Sequence, residues 1–173
     1  RHRAAIARGY LAQALQRTPQ LAEARADYDA DCKQLRDLSR LDPSMAAYPH
    51  DLAYLLTQRG GFEWDQDRLD DALNHYQEAK FIYESRVDDA AAPDAIHHFA
   101  RLLVDCPIEK LRDPASAERM LLPLVKQSPD NVSYAITLGS AQYRMSRHEA
   151  AERQLRKAIM LHIGAHARSQ LWL

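Results

Sequence analysis

The sequence predicts an all-α fold made of successive antiparallel helix pairs. Three observations carry this. Ala, Leu, Arg, Glu, Asp and Gln dominate, only 5 of the 173 residues are glycine, and β-branched residues are sparse. Apolar residues recur at helical spacing in segments divided by Pro with Asp or Ser. Small residues recur at two matched positions along the chain.

Helices are expected at about 2–17, 19–41, 50–65, 68–88, 94–105, 114–127, 131–145 and 148–162, with a ninth beginning near 166. "RTPQLAEA" offers Thr18 as N-cap and Pro19 at the first helical position. "RLDPSMAAYP" ends the second helix at about Leu41. "DDAAAPDAIHHF" and "RDPASAERM" place Asp and Pro at helix starts, and "SPDNVSYAI" does so near Asp130. No segment reads as a strand.

"QRGGFEWDQDR", residues 58–68, tests this frame. Two glycines before Phe-Glu-Trp suggest a turn, yet helical text flanks them. In "NVSYAITLGSAQYRMSRHEAAERQLRKAIMLH", Leu138-Gly139 are followed by Ala151, Leu155 and Ala158. This resembles a tetratricopeptide repeat, a helix pair of about 34 residues with a small residue on each helix where the two cross. Ala135 and Gln142 replace the Trp and the later Tyr of that pattern. The same frame puts Ala12, Gly60, Ala100 and Gly139 on the first helices, and Ala24, Ala72, Ala117 and Ala151 on the second. Ala12–Ala24, Gly60–Ala72 and Gly139–Ala151 are each 12 residues apart. Small residues let two helices cross at the short end of the roughly 8–10 Å range. Gly60 is therefore expected inside a helix, with a plain interhelical loop as the alternative. Gly61 has no such reason and costs about 1 kcal/mol relative to Ala, so that helix end is expected to fray or bend.

"YPHDLAYLL", "FARLLVDCP" with "KLRDPASAERML", and "SPDNVSYAITLGSAQYRMSRHEAAERQLRKAIML" follow one another in order. Together they resemble the tetratricopeptide regions that follow serine/threonine-kinase domains in planctomycete bacteria. The resemblance implies a right-handed α-α superhelix and a cytoplasmic, non-catalytic scaffold attached to a larger enzyme. It implies one domain of units at about 1–44, 45–91, 92–130 and 131–163, with 164–173 as a truncated next helix. The second helices, expected to reach Leu41 and about Arg86, are similar to the extended repeats of kinesin light chain. The start at Arg1 and the apolar "SQLWL" ending read as cuts from a longer protein, and a homodimer through that C-terminal end is expected.

Composition narrows the classes further. Apolar residues make up 46%, enough for a continuous core, and 23 Lys plus Arg balance 24 acids. Neither nucleic acid nor an anionic membrane is an expected partner. No apolar run is long enough to span a membrane, and no signal-peptide pattern opens the chain. Cys32 and Cys106 form no CxxC, so a reduced intracellular setting is expected.

No catalytic, cofactor or metal constellation is readable. Gly60-Gly61 lacks either phosphate-loop spacing. The HRD and DFG signatures of a kinase core are absent from the chain. His162 and His166 are four apart, but Ile163 stands where a metalloprotease needs Glu, and Gly164 is expected to break the helix. His97-His98 point about 100° apart on a helix and cannot share an ion. Asp27, Asp29 and Asp31 mimic the start of a calcium loop, but Cys32 and Leu38 occupy the positions of its Gly and Glu; the stretch reads as the polar face of a helix. Cys106 reads as a structural thiol.

A protein or peptide segment is the expected partner. Counting from the small position, the faces lining a concave groove carry Tyr54, Thr57, Gly61 and Trp64, then His97 and Arg101, then Ser140, Tyr143 and Arg144. Aromatic and Arg residues are common binding hot spots. A cochaperone-type carboxylate clamp is disfavoured, because Ile136 and Ser140 occupy the matching positions. Trp172 is expected to cap the end of the array. The alternative is a helical domain that binds a small molecule or only self-associates.

Overall fold

A computed structural model describes residues 21–85 and 93–170, the last seven by their backbone alone. The expected helix at 2–17, its Ala12, the Thr18–Pro19 cap, the continuation from Arg86 to 88, and Trp172 lie outside the described residues. All regular structure among the described residues is helical. The chain divides into two compact units, Arg1–Asp89 and Ala90–Leu173, close to the boundary expected between the second and third helix pairs.

The first unit holds α1 (Leu21–Leu41), α2 (Ala47–Trp64) and α3 (Leu69–Glu84), with α2 packed against both neighbours. α1 buries one stripe, Ala24, Tyr28, Cys32 and Leu35, at helical spacing. α3 does the same with Ala72, Tyr76, Ala79 and Tyr83. α2 buries residues on more than one side, from Leu52 to Glu63, because it lies between the other two. Arg36 ties α1 directly to α3 through Glu78, with Nη2 2.8 Å from Oε1.

α2 begins three residues earlier than the expected 50, and Pro49 sits in its first turn. The first N–H groups of a helix have no intrahelical acceptor, so a proline there loses nothing. α3 ends at Glu84, where the Ser85 hydroxyl donates to the Ile82 carbonyl at 2.7 Å.

The second unit holds α4 (Pro93–Asp105), a 3-10 turn (Glu109–Leu111), α5 (Pro114–Gln127), α6 (Val132–Arg144) and α7 (His148–Gln170). α4 packs on α5 and α6, α5 on α6, and α6 on α7. Asp113 caps α5 by accepting the Ser116 N–H at 3.0 Å, with Pro114 at the first helical position. Asn131, rather than Asp130, caps α6 by accepting the Tyr134 N–H at 3.1 Å. α7 runs unbroken to Gln170, so neither the break at Gly164 nor a separate helix from 166 is found. A single interior glycine costs only about 1 kcal/mol and does not stop a helix.

Three turns between paired helices close in the same way. The Arg68 N–H donates to the Glu63 carbonyl at 2.9 Å, Asp113 to Leu103 at 3.0 Å, and Arg147 to Gln142 at 2.9 Å. In the two tight turns the residue just before the donor, Asp67 or Ser146, is left-handed, with φ of 58° and 61°.

Gly60 and Gly61 both lie within α2. A Cβ on Gly60 would stand 3.0 Å from three ring carbons of Tyr76, and one on Gly139 would stand 2.8 Å from Leu155 Cγ. Each glycine therefore makes room mainly for the large residue one turn beyond Ala72 or Ala151, which refines the expected small-on-small contact. Gly61 does not end the helix, and its Cβ would meet only the Tyr76 hydroxyl at 3.4 Å.

The adjacent glycines should therefore respond in opposite ways. Gly60→Ala pushes on a buried ring and should destabilise by about 1–3 kcal/mol. Gly61→Ala should be neutral or stabilise by up to about 1 kcal/mol, because it relieves helix-interior glycine entropy without a clash. Urea midpoints of the two variants check this; matching shifts would contradict the packing.

Candidate functional site

Five of the residues expected to face a partner lie on α4 and α6 of the second unit. Tyr143 is 63% exposed, and its ring meets His148 edge-on at 5.5 Å. Arg101 and Arg144 are exposed, and Ser140 is half-buried. Neither guanidinium makes a hydrogen bond or an ion pair among the described residues. Asp105 stands one turn after Arg101 on α4 and feels both arginines. Partial burial raises its carboxyl above the ordinary range, while Arg101 and Arg144 pull it back down.

His97 departs from the expected groove position, because it is buried against α6. Its Nε2 lies 3.0 Å from Thr137 Oγ1, and Thr137 gives its one hydroxyl proton to the Ser133 carbonyl at 3.0 Å. With the Thr137 proton on that carbonyl, the Nε2–H tautomer completes the network by donating to Oγ1. The Tyr134 ring covers His97 at 4.9 Å. Burial holds the imidazole below its ordinary 6.5 and Arg101 reinforces this, against the Ser133 carbonyl and Asp94.

In the first unit, Tyr54, Thr57, Gly61 and Trp64 share one half-buried stripe of α2. The Thr57 hydroxyl donates to the Ala53 carbonyl at 2.8 Å, which occupies its one donor.

Sequence reasoning passed over Glu63, which is fully buried next to the stripe. Arg25 of α1 grips it with two hydrogen bonds, Nε to Oε1 at 3.1 Å and Nη2 to Oε2 at 3.0 Å. Arg68 Nε lies 3.1 Å from Oε2 and Arg59 Nε 3.8 Å from Oε1. Arg59 also pairs with Asp29. The Arg25 guanidinium stands 5.7 Å over the Phe62 ring. Asp31 is buried too, so the Asp27–Asp31 stretch is not simply a polar face. A carboxylate in this position is tolerated because several guanidiniums surround it.

The second unit carries a counterpart at the same spacing. Glu63 and Arg68 stand 3 and 8 residues after Gly60; Gln142 and Arg147 stand 3 and 8 after Gly139. Gln142 Nε2 donates to Glu118 Oε1 of α5 at 3.1 Å, and Arg147 Nη1 reaches Glu118 Oε2 at 2.6 Å. Glu118 follows Ala117 as Arg25 follows Ala24, with the charge reversed. The recurrence of polar residues three and eight positions after Gly60 and Gly139 was the available sequence signal; Ala100 is followed at those positions by Leu103 and Ile108.

Both cysteines are free and buried. Burial pushes the Cys32 thiol up to about 11, and burial raises Cys106 as well, which favours the thiol over the thiolate in both. Among the described residues, no group of three or more metal-binding side chains converges, and no helix is long and apolar enough to cross a membrane. No protein-family model matches the chain, and no curated protein matches it.

His97 makes the second unit sensitive to acid. The unfolded chain takes up a proton near the ordinary 6.5, before the folded state does, because the folded value is lowered. Its contribution should be complete above that value and be lost as pH falls through it. Urea midpoints should drop between neutral pH and about pH 5, and drop less in His97→Gln. An identical pH profile in the variant would remove His97 as a cause.

Proposed function

We propose that the chain is a non-catalytic protein-interaction scaffold built from tetratricopeptide-type helix pairs in a right-handed α-α superhelix. On this reading it is the cytoplasmic partner-binding or regulatory region of a larger protein such as a serine/threonine kinase. The repeated turn closure supports the repeat assignment, because three helix pairs use one hydrogen-bond plan. The resemblance to regions that follow kinase domains supports the parent class. The observation that carries the binding reading is the contacting pair α4 and α6, which exposes Tyr143 and Arg144 on α6 and Arg101 on α4, with neither arginine hydrogen-bonded or ion-paired among the described residues. An aromatic ring gives large contact area with few rotatable bonds, and guanidinium gives directional donors. α2 offers Tyr54 and Trp64 as a separate patch.

Self-association is a second reading, favoured by α7. Ile159, Met160 and Ile163 are 57%, 70% and 57% exposed. Ala151, Glu152, Leu155 and Ile159 repeat the spacing of Ala24, Arg25, Tyr28 and Cys32. On α1, Arg25 and Tyr28 contact α2 residues. The matching stretch of α7 leaves Ile159 open.

With a partner found by pull-down, Tyr143→Ala should weaken binding by about 1–2 kcal/mol and leave the urea midpoint unchanged. Phe81→Ala, which removes an equally exposed ring from α3, should leave affinity unchanged. Loss in neither variant, together with a dimer abolished by Ile159→Glu in sedimentation, would favour self-association instead.

A further inference from the structure

Most described arginines are engaged within the fold. Arg25 and Arg36 grip carboxylates, and Arg112 donates to the Cys106 and Pro107 carbonyls at 2.6 and 3.0 Å. Arg101 and Arg144 are engaged by neither a hydrogen bond nor an ion pair, and both belong to the contacting pair α4 and α6. Arg153, on α7, is the third such arginine among the described residues. Asp105 stands within electrostatic reach of Arg101 and Arg144. Asp94, at the start of α4, balances the charge over the two helices as a whole; the excess of two cations over one anion is confined to the end of the face where Arg101, Arg144 and Asp105 interact. The last turn of α6 favours Arg144 through the helix dipole, which explains a cation there but not an unpaired guanidinium on the facing helix as well.

We propose that the α4/α6 face binds an acidic segment of a partner protein, with carboxylates on Arg101 and Arg144, and that Asp105 is a resident competitor that lowers affinity for it. The proposal rests on reading this face as the partner-binding surface. A bound carboxylate can engage a guanidinium through two parallel hydrogen bonds. Asp105 repels it and offers both arginines an internal alternative. Selectivity follows: a segment with a single carboxylate gains little over Asp105, whereas an acidic run contacts both arginines at once. Tyr143 would cover the stems of the bound side chains. Because the groups are exposed, affinity should fall with salt.

The test uses the whole chain and fluorescein-labelled octaglutamate, with octaglutamine as the neutral control, read by fluorescence anisotropy at low salt. Octaglutamate should bind more tightly than octaglutamine. Arg101→Gln and Arg144→Gln should each weaken it by about two- to fivefold, and Asp105→Asn should tighten it by a similar factor. Arg153→Gln removes one equally unpaired charge from α7 and should change nothing. Circular dichroism should be unchanged in all four variants; urea midpoints should be unchanged in the three arginine variants, whose side chains are exposed, and should not fall in Asp105→Asn, because burial already disfavours that charge. Equal binding of the two peptides, equal loss in Arg153→Gln, or no tightening in Asp105→Asn would overturn the proposal. Tighter binding of octaphosphoserine or a single-stranded oligonucleotide through the same two arginines would overturn the carboxylate assignment. If Tyr143→Ala still abolishes capture of the natural partner while the arginine variants do not, the interaction face stands and only its acidic specificity falls.

Discussion

Each helix pair depends on one backbone hydrogen bond, donated by the residue that opens the second helix to a carbonyl near the end of the first. This bond fixes where the second helix starts and how it leaves the turn. A left-handed residue just before the donor makes the tight version possible, at Asp67 and Ser146. The return of the second helix then brings Tyr76 over Gly60 and Leu155 over Gly139. A side chain on either glycine would hold the helices apart.

In the two tight turns the residue that accepts this bond also points its side chain toward the helix before. Glu63 meets Arg25 and Gln142 meets Glu118, so one position links three consecutive helical segments. The ionic version is demanding, because an unpaired carboxylate at Glu63 would be buried away from water. Burial between two neighbours leaves the middle helices only a narrow free stripe. On α6 that stripe carries Ser140, Tyr143 and Arg144, and on α2 it carries Tyr54, Thr57 and Trp64. Packing thus leaves only a few side chains of each middle helix uncovered.

Local signals in the sequence located most helices to within a few residues. Proline with Asp or Asn placed the starts of α5 and α6, and the spacing of small residues put Gly60 inside a helix. What local text concealed was long-range. Glu63 carries no local mark of burial; what makes a buried carboxylate tenable there is Arg25, 38 positions earlier. His97 reads as solvent-facing until α6 brings Thr137 and Tyr134 over it. Gly164 reads as a breaker because propensity omits the support of 22 other helical residues in the 23-residue α7. Of the residues expected to face a partner, Arg101, Tyr143 and Arg144 are exposed and His97 is not, and the closeness of Asp105 to Arg144 emerges only when α4 meets α6.

The account rests on the acceptor position as a three-way link, and a double-mutant cycle on Arg25 and Glu63 tests it most directly. Urea unfolding of Arg25→Gln, Glu63→Gln and the pair gives the coupling energy. Glu63→Gln should cost about 3 kcal/mol, since it strands guanidiniums at a buried site, and the double variant should recover about 1–2 kcal/mol of the summed losses. Losses that add to within about 0.5 kcal/mol would show the two side chains to be independent and contradict the link.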